Sequence, residues 1–433
     1  MSEEIIHRAE KLTGDIVLPG DKSISHRALM LGAIAEGETT IANLSPGKDV
    51  QSTRLCLEAM GVAIRLEGGL IHISGRGPGG LTAPDGELDC GNSGTTMRLL
   101  SGILAAQPFP SRLTGDASLS RRPMKRIVTP LSMMGAHIET GPGHTPPLTL
   151  HGGALVPIDY VSPVASAQIK SCVLLAGLYA RGRTSVSEPA RSRDHTERML
   201  EAFGTPVHID GLRVSVEGPA RLKGTRIDIP GDMSSAAYFM VAAAMIPGSE
   251  IRIRRVNLNP TRTGIMKVLR EMGVRFTEEN HRTVNGEPVA DIIVKSARLK
   301  ATAIKGDLIP QLIDEIPLLA IAATRAEGIT SIRNARELRV KETDRIRTVG
   351  ENLKKMGVSV EMVEDGFVIP GGQSLTGTIL DSYGDHRVAM SFAVAGMIAE
   401  GKTIIRDAGC AEISFPGFYD KLRETANESF DAS

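Results

Sequence analysis

Six stretches of this chain gather Ser, Asn, Asp, Thr and cationic residues immediately before an apolar run. They are Gly20-Asp21-Lys22-Ser23-Ile24-Ser25-His26-Arg27, Gly91-Asn92-Ser93-Gly94-Thr95-Thr96-Met97-Arg98, Ser166-Ala167-Gln168-Ile169-Lys170, Gly231-Asp232-Met233-Ser234-Ser235, Asp314-Glu315-Ile316-Pro317 and Gly384-Asp385-His386-Arg387. The small polar residues suit helix N-caps, and capping alone accounts for them. The cations need another reason. Lys22, Arg27, Arg98, Lys170 and Arg387 fall in or just before a first turn, where the helix dipole disfavours positive charge by about 0.3–1 kcal/mol each. A salt bridge can absorb one or two of them. Four of six helix starts with a cation point instead to a shared anion, since free backbone N–H groups beside Lys or Arg form a phosphate or carboxylate site. Two more charged runs stand out. Leu119-Ser120-Arg121-Arg122-Pro123-Met124-Lys125-Arg126 is strongly basic, which is also what a solvated loop looks like. Arg339-Val340-Lys341-Glu342-Thr343-Asp344-Arg345 sets carboxylates among cations, with Thr343 or Asp344 as a helix cap. Such a run can hold a phosphate with a general acid/base beside it. Gly-Asn-Ser-Gly-Thr-Thr has neither the Lys of a P-loop nor the spacing of a dinucleotide fingerprint, so no nucleotide cofactor is expected.

The elements that carry these stretches repeat. The apolar runs ALMLGAIA, LLSGILAA, SCVLLAGLYA, AAYFMVAAAMI, LLAIAATRA and AMSFAVAGMIA are apolar nearly all round, so they read as helices buried on every side. A Gly turn then feeds a strand at Gly37, Gly182, Gly248, Gly328 and Gly401. A second, amphipathic helix ends at Met60-Gly61, Met134-Gly135, Phe203-Gly204, Met272-Gly273 and Met356-Gly357, where Gly suits a left-handed C-cap. In the fifth of these, Ile346, Val349, Leu353 and Met356 form the stripe, with Lys354 and Lys355 off it. Six such units fill the chain, the last cut short at Tyr419–Leu422 with a frayed tail. Asn285-Gly286 reads as a hairpin turn, and Arg76–Gly86 and Gly141–Pro147 as surface connections. Six repeats favour two α/β domains of three, with a crossover near Gly231 and the residues before Gly20 left to pair with the other domain. The alternative is one continuous solenoid.

Composition narrows the function. Among 433 residues, 50 Lys+Arg balance 50 Asp+Glu, so no global field exists to hold nucleic acid or an anionic membrane. Trp is absent and aromatics are 3% of the chain, which leaves few platforms for stacking bases. No apolar run spans a bilayer and no signal peptide is visible. Cys56, Cys90, Cys172 and Cys410 are scattered without a CxxC, as reduced thiols of a cytoplasmic protein would be, with no zinc site.

Taken together, LPGDKSISHRAL (Leu18–Leu29), GNSGTTMRLL (Gly91–Leu100), RVKETDR (Arg339–Arg345) and GDHRVAM (Gly384–Met390) resemble the 5-enolpyruvylshikimate-3-phosphate (EPSP) synthase family over essentially the full length. The resemblance implies an inside-out α/β barrel fold of two domains, each of three βαβαββ units. Residues 20–231 would serve shikimate 3-phosphate. Residues 1–19 and 232–433 would complete the phosphoenolpyruvate site, the two closing on substrate. It further implies transfer of the enolpyruvyl group of phosphoenolpyruvate to the 5-hydroxyl of shikimate 3-phosphate with release of phosphate, by a monomer, without metal or organic cofactor and with glyphosate as a competitive inhibitor.

Carried over residue by residue, the resemblance makes Lys22, Asp314 and Glu342 catalytic. Lys22 would serve both substrates, Asp314 lie beside the attacking hydroxyl, and Glu342 act at the methylene carbon. Shikimate 3-phosphate would also meet Ser23, Arg27, Ser166, Gln168, Arg193 and Lys341. Phosphoenolpyruvate would meet Asn92, Gly94, Arg122, Gln168, Arg345 and Arg387. His386 would lie next to its phosphate or cap that helix. Gly94 would leave room for glyphosate's extra length, while Leu99 stands where sensitive members have Pro, so inhibition is expected to be measurable but weak. Ala167 in Ser166-Ala167-Gln168 and the SRDHTE stretch mark the branch in which Arg193 meets the substrate phosphate. The lysine of a C-terminal Lys-x-Phe-Pro pattern is missing from Ile413-Ser414-Phe415-Pro416, and Lys402 or Arg406 is the expected substitute. The sister family that acts on UDP-N-acetylglucosamine is the nearest alternative. It carries a loop Cys that Gly115-Asp116-Ala117-Ser118-Leu119 lacks. A non-enzymatic clamp on nucleic acid is the other.

Overall fold

The computed structural model describes residues 2–426. Six helices are buried almost throughout: α1 (Lys22–Ile34), α2 (Gly94–Leu104), α3 (Ala167–Gly177), α4 (Met233–Met245), α5 (Ile316–Arg325) and α6 (His386–Gly396). Every residue of α4 is buried. An all-round apolar sequence has no solvent face to offer, and each large side chain removed from water contributes about 1.5–3 kcal/mol. Close helix approach requires small residues. A Cβ on Gly102 of α2 would lie 2.3 Å from the Cys172 carbonyl oxygen of α3, so any side chain there forces backbone apart.

Contacts divide the chain into two units. The first comprises Gly20–Ile229 and Thr283–Glu287, and contains α1, α2 and α3. The second comprises Met1–Pro19, Pro230–Arg282 and Pro288–Ser433, and contains α4, α5 and α6. Within each, three sheets surround the buried helices, as the α/β expectation requires. The sheets share one plan: a strand, a parallel neighbour across the buried helix, then antiparallel strands after the second helix. Leu88–Asp89 and Ser111–Thr114 run parallel, and Thr145–Leu150 and Ile138–Gly141 follow antiparallel.

Two sheets take their first strand from outside their own repeat. Arg226–Asp228, after the third repeat, pairs parallel with Glu36–Ala42 of the first. Thr13–Val17 pairs parallel with Glu250–Asn257 of the fourth. A solenoid has no such return of its third repeat to its first. The shortened sixth repeat, Ile379–Asp381 and Thr403–Arg406, gains its antiparallel partner from Glu3–Ile6. Its second helix spans Phe418–Thr425, and the rest of the tail expected to fray lies outside the described residues. The glycines after the other second helices have positive φ (Gly61 81°, Gly135 93°, Gly204 85°, Gly273 99°, Gly357 83°), as left-handed C-caps do. Asn285-Gly286 is a hairpin turn, but not a free one: the Asn285 side chain accepts from Asp228 N at 2.9 Å and donates to Arg226 O at 2.9 Å. No helix among the described residues is long and apolar enough to cross a membrane.

Candidate active site

In the first unit the charged groups converge on the starts of α1, α2 and α3. Asp21 caps α1 by accepting from Ile24 N at 3.0 Å. Lys22, the first helical residue, pairs with Asp49 at 2.8 Å, and both are largely buried. One turn on, Arg27 is buried with its guanidinium fixed on three sides. Nε donates to Thr196 Oγ1 at 2.6 Å, Nη2 to Ser171 Oγ at 2.7 Å, and Nη1 to Ser23 O at 2.9 Å. Burial pulls Arg27 down to about 10; Glu197 and Asp21 oppose the shift, and Arg193 adds to it. Arg193 is therefore close enough for its charge to be felt at Arg27.

Ser93 caps α2. Before it, Asn92 accepts from Arg122 Nη2 at 2.8 Å and donates to Asp116 at 2.7 Å. Within the basic run 119–126, Arg122 is the cation that is buried, while Arg121 and Lys125 are exposed. Gln168 in the first turn of α3 accepts from Arg98 Nη1 at 3.1 Å and donates to Thr95 Oγ1 at 3.0 Å. Ser166 caps α3, and its own N–H donates to Glu188 at 2.7 Å.

One expectation for this unit is corrected. Lys170 does not face an anion site: it is buried between Glu188 (3.0 Å) and Glu197 (2.7 Å). Burial opposes its charge, but these two carboxylates outweigh that and raise it above the usual lysine range. Gly94 lies against two cations of the site. A Cβ there would lie 2.6 Å from Arg98 Nη1 and 3.4 Å from Arg122 Nη1, so Gly94 makes room for two guanidinium groups of the chain itself.

The second unit gathers opposite charges around one arginine. Arg345 is 1% exposed, in the first turn of the helix Arg345–Lys355 capped by Asp344. Asp385 takes it two-pronged, at Nε (2.8 Å) and Nη2 (3.1 Å), while Glu342 takes Nη2 at 2.5 Å and Asp314 takes Nη1 at 3.4 Å. Burial alone would weaken this cation, yet Asp385, Glu342 and Asp314 raise it far above the ordinary arginine value. Lys341 lies 3.5 Å from Asp314. Arg387, buried at the start of α6, donates from Nη1 to Tyr238 OH at 3.4 Å. Burial disfavours its charge too, but Tyr238, Asp314, Glu315 and Asp232 raise it. The cap of α6 is Asp385, which accepts from Arg387 N at 2.9 Å, so the capping role open to His386 falls to its neighbour. His386 is buried beside it.

Of the two substitutes for the missing C-terminal lysine, Arg406 pairs with Glu3 across the sixth sheet and Lys402 is exposed in the preceding turn. Phe415 packs against Phe239 and Phe418 in the core. Sequence reasoning missed Asp49, Thr196 and Ser171, which hold Lys22 and Arg27, and Asp385, which holds Arg345 and Arg387. Asp385 stood within a quoted motif, and its place two residues before Arg387 was the available signal.

The family profile of EPSP synthase (3-phosphoshikimate 1-carboxyvinyltransferase) matches residues 6–422. Among curated proteins, the 3-phosphoshikimate 1-carboxyvinyltransferase of Geobacillus kaustophilus is 54% identical over 415 residues, covering 95% of this chain and 97% of the relative. That of Desulforamulus reducens is 52% identical over 430 residues, covering 98% and 100%. Among solved structures, an EPSP synthase from Acinetobacter baumannii superposes with a TM-score of 0.86 at 46% identity, covering 98% of each chain.

Proposed function

The chain belongs to the EPSP synthase (3-phosphoshikimate 1-carboxyvinyltransferase) family, and from that premise we infer how its own residues carry the reaction. The enzyme transfers the enolpyruvyl group of phosphoenolpyruvate to the 5-hydroxyl of shikimate 3-phosphate and releases phosphate, a step of the shikimate pathway. Neither the UDP-N-acetylglucosamine reading nor the clamp reading is favoured by these relatives.

In the reading we propose, Arg27, Arg193, Ser23, Ser166 and Gln168 hold shikimate 3-phosphate, with Lys341 and Asp314 at its ring. Arg122, Arg345 and Arg387, with Asn92, Gly94 and Gln168, hold the carboxylate and phosphate of phosphoenolpyruvate. Lys22 serves both substrates. Asp314 removes the proton of the 5-hydroxyl as its oxygen bonds to C2 of phosphoenolpyruvate. Glu342, protonated at the outset, delivers its proton to C3, turning the methylene into a methyl group, then takes one back as the C2–O bond to phosphate breaks and the double bond re-forms, while the proton taken by Asp314 passes to the departing phosphate. Buried cations arranged beforehand stabilise the negative charge that moves onto the departing phosphate.

The observation that carries this assignment is the chemistry around Arg345. Two carboxylates with some exposure to solvent, Asp314 (18%) and Glu342 (17%), are held against one fully buried guanidinium. Such carboxylates are fixed in place by the guanidinium and keep access to solvent, the two conditions that a proton-transfer group needs. Phosphate release from phosphoenolpyruvate, measured with and without shikimate 3-phosphate, tests the reading. Release that depends on shikimate 3-phosphate and falls steeply in Glu342→Ala and Asp314→Ala is expected; variants that turn over normally would remove these roles. We also propose a cytoplasmic monomer, checked by sedimentation with and without substrates.

A further inference from the structure

One group of side chains, none of them assigned above, closes the open end of a β-hairpin in the first unit. The last ladder pair between Ile138–Gly141 and Thr145–Leu150 is Ile138 with Leu150. His137 and His151 continue the pairing by one step, with His151 N donating to His137 O at 3.1 Å. Their imidazole rings stack at 4.4 Å between centroids with planes 20° apart. Glu139 lies two residues along the strand from His137, and the pleat therefore puts it on the same face. Its Oε1 is 2.8 Å from His151 Nε2. One ligand atom from each of the three lies within 4.8 Å of the others, and all three side chains are exposed.

A solvent-exposed His–Glu contact by itself contributes little, and it leaves the second ring unexplained. Stacked imidazoles at this distance repel once both carry a proton, whereas a divalent cation draws on both nitrogen lone pairs at once. Two imidazole nitrogens and a carboxylate oxygen form a donor set for cations of borderline softness. Metal–ligand distances of about 2.0–2.2 Å put the donors of a tetrahedral site roughly 3.3 Å apart. Rotation of exposed side chains, without backbone movement, covers the difference from 4.8 Å. We propose that His137, Glu139 and His151 form a surface site for a divalent transition cation, Zn²⁺ foremost, with water completing the coordination. The role is structural. The bound ion ties the free ends of two strands whose connecting turn holds Met124 N through His144 O at 2.8 Å, two residues from Arg122.

The test is Zn²⁺ binding to the full-length protein without a polyhistidine tag, by competition with a chromophoric indicator, alongside Co²⁺ absorption spectra and melting temperature. One Zn²⁺ per chain is expected, with a melting temperature that rises with zinc. His137→Asn, His151→Asn and Glu139→Gln should each weaken binding by at least about tenfold. These variants should keep normal phosphate release, which shows that they fold. His281→Asn, which removes another exposed imidazole beside a glutamate (Glu278), should bind as the parent does. Absence of saturable one-to-one binding, equal affinity in His151→Asn, or Mg²⁺ competing as well as Zn²⁺ would each overturn the proposal, since Mg²⁺ takes oxygen ligands.

Discussion

Replacing Asp385 by Asn changes one oxygen to an NH₂ group at the point where two arginines meet. Asp385 accepts four hydrogen bonds. Oδ1 takes Arg387 N at 2.9 Å and Arg345 Nη2 at 3.1 Å; Oδ2 takes Arg345 Nε at 2.8 Å and Thr343 Oγ1 at 3.1 Å. Asn is as good a helix cap as Asp, so with its carbonyl in the place of Oδ1 the start of α6 is kept. Its NH₂ group then faces Arg345 Nε–H, donor against donor. Flipping the amide only moves the deficit to Arg387 N and Nη2. Arg345 is 1% exposed, so no water replaces the lost acceptor. One charge-assisted bond costs about 1.5–3 kcal/mol. Glu342 and Asp314 still offset the charge, so the loss stays below the roughly 3–5 kcal/mol of a wholly broken buried pair. A loss of about 2–3 kcal/mol corresponds to a melting temperature lower by about 4–12 °C for a unit of this size. If the same displacement of Arg345 is felt by phosphoenolpyruvate, its KM rises by about 30–150-fold. Calorimetry and phosphate-release kinetics read the two effects. Asp385→Asn melting within about 1 °C of the parent with an unchanged KM would refute the reasoning that Asp385 holds Arg345 in place.

Lys22→Met keeps the aliphatic stem without the ammonium, and should cut kcat by about 10²–10⁴-fold; because it also leaves the largely buried Asp49 without this partner, the melting temperature should fall as well, and near-normal turnover would remove Lys22 from the chemistry. Thr196→Val preserves shape but takes the acceptor from Arg27 Nε. It should raise the KM for shikimate 3-phosphate by about tenfold, for a hydrogen bond of roughly 1.5 kcal/mol, with little change in the KM for phosphoenolpyruvate. Gly94→Ala shifts the flexible end of Arg98, 2.6 Å from the new Cβ, and takes the space expected to admit glyphosate's extra length, so the inhibition constant of glyphosate should rise more than the KM for phosphoenolpyruvate; equal rises would show that the added methyl does not discriminate. Burial, with Lys22 and Arg27 nearby, holds His26 well below the usual histidine value. The unfolded chain therefore takes up a proton first, so this group costs no stability above about pH 6.5 and up to about 1.4 kcal/mol per pH unit below it. His26→Gln should flatten that acid limb of the stability curve, and an unaltered limb would place the titration elsewhere.

Patterns were legible where one physical requirement dictates residue type. Apolar runs without a polar face announced the six buried helices, and the glycines at positive φ announced where the second helices stop. The cationic helix starts were legible because a cation there opposes the helix dipole. What charge alone did not reveal is which cations are already spent. Lys170 and Arg27 look alike in sequence, yet Lys170 lies between Glu188 and Glu197, whereas Arg27 is held by hydroxyl groups and a carbonyl. Those partners come from distant segments, and a single sequence carries no signal of the pairing. Arg345 stands in a charge run that reads as a phosphate holder, but its depth is not legible there: the helix stripe of Ile346, Val349 and Leu353 turns it into the interior. Strand Glu3–Ile6 was invisible for another reason: four residues, two of them charged, have no periodicity to detect.

The pairing of chain ends with distant strands sets an order for biosynthesis. Arg254 and Asp15, on paired strands, are 239 residues apart, and Gly409 and Ser2, which hydrogen-bond, are 407 apart. At roughly 5–20 residues per second on the ribosome, the N-terminal strands wait about 10–80 s for their partners. The segment Gly20–Ile229 carries its own closing strand and assembles three sheets during that wait. It lacks only Thr283–Glu287, whose Glu287 meets buried His195 at 2.6 Å. Meanwhile the first nineteen residues emerge and remain unpaired. The first strand of that stretch opens with two glutamates, and its strands are kept to four and five residues, a composition that resists pairing with the wrong edge while the right one is still being made.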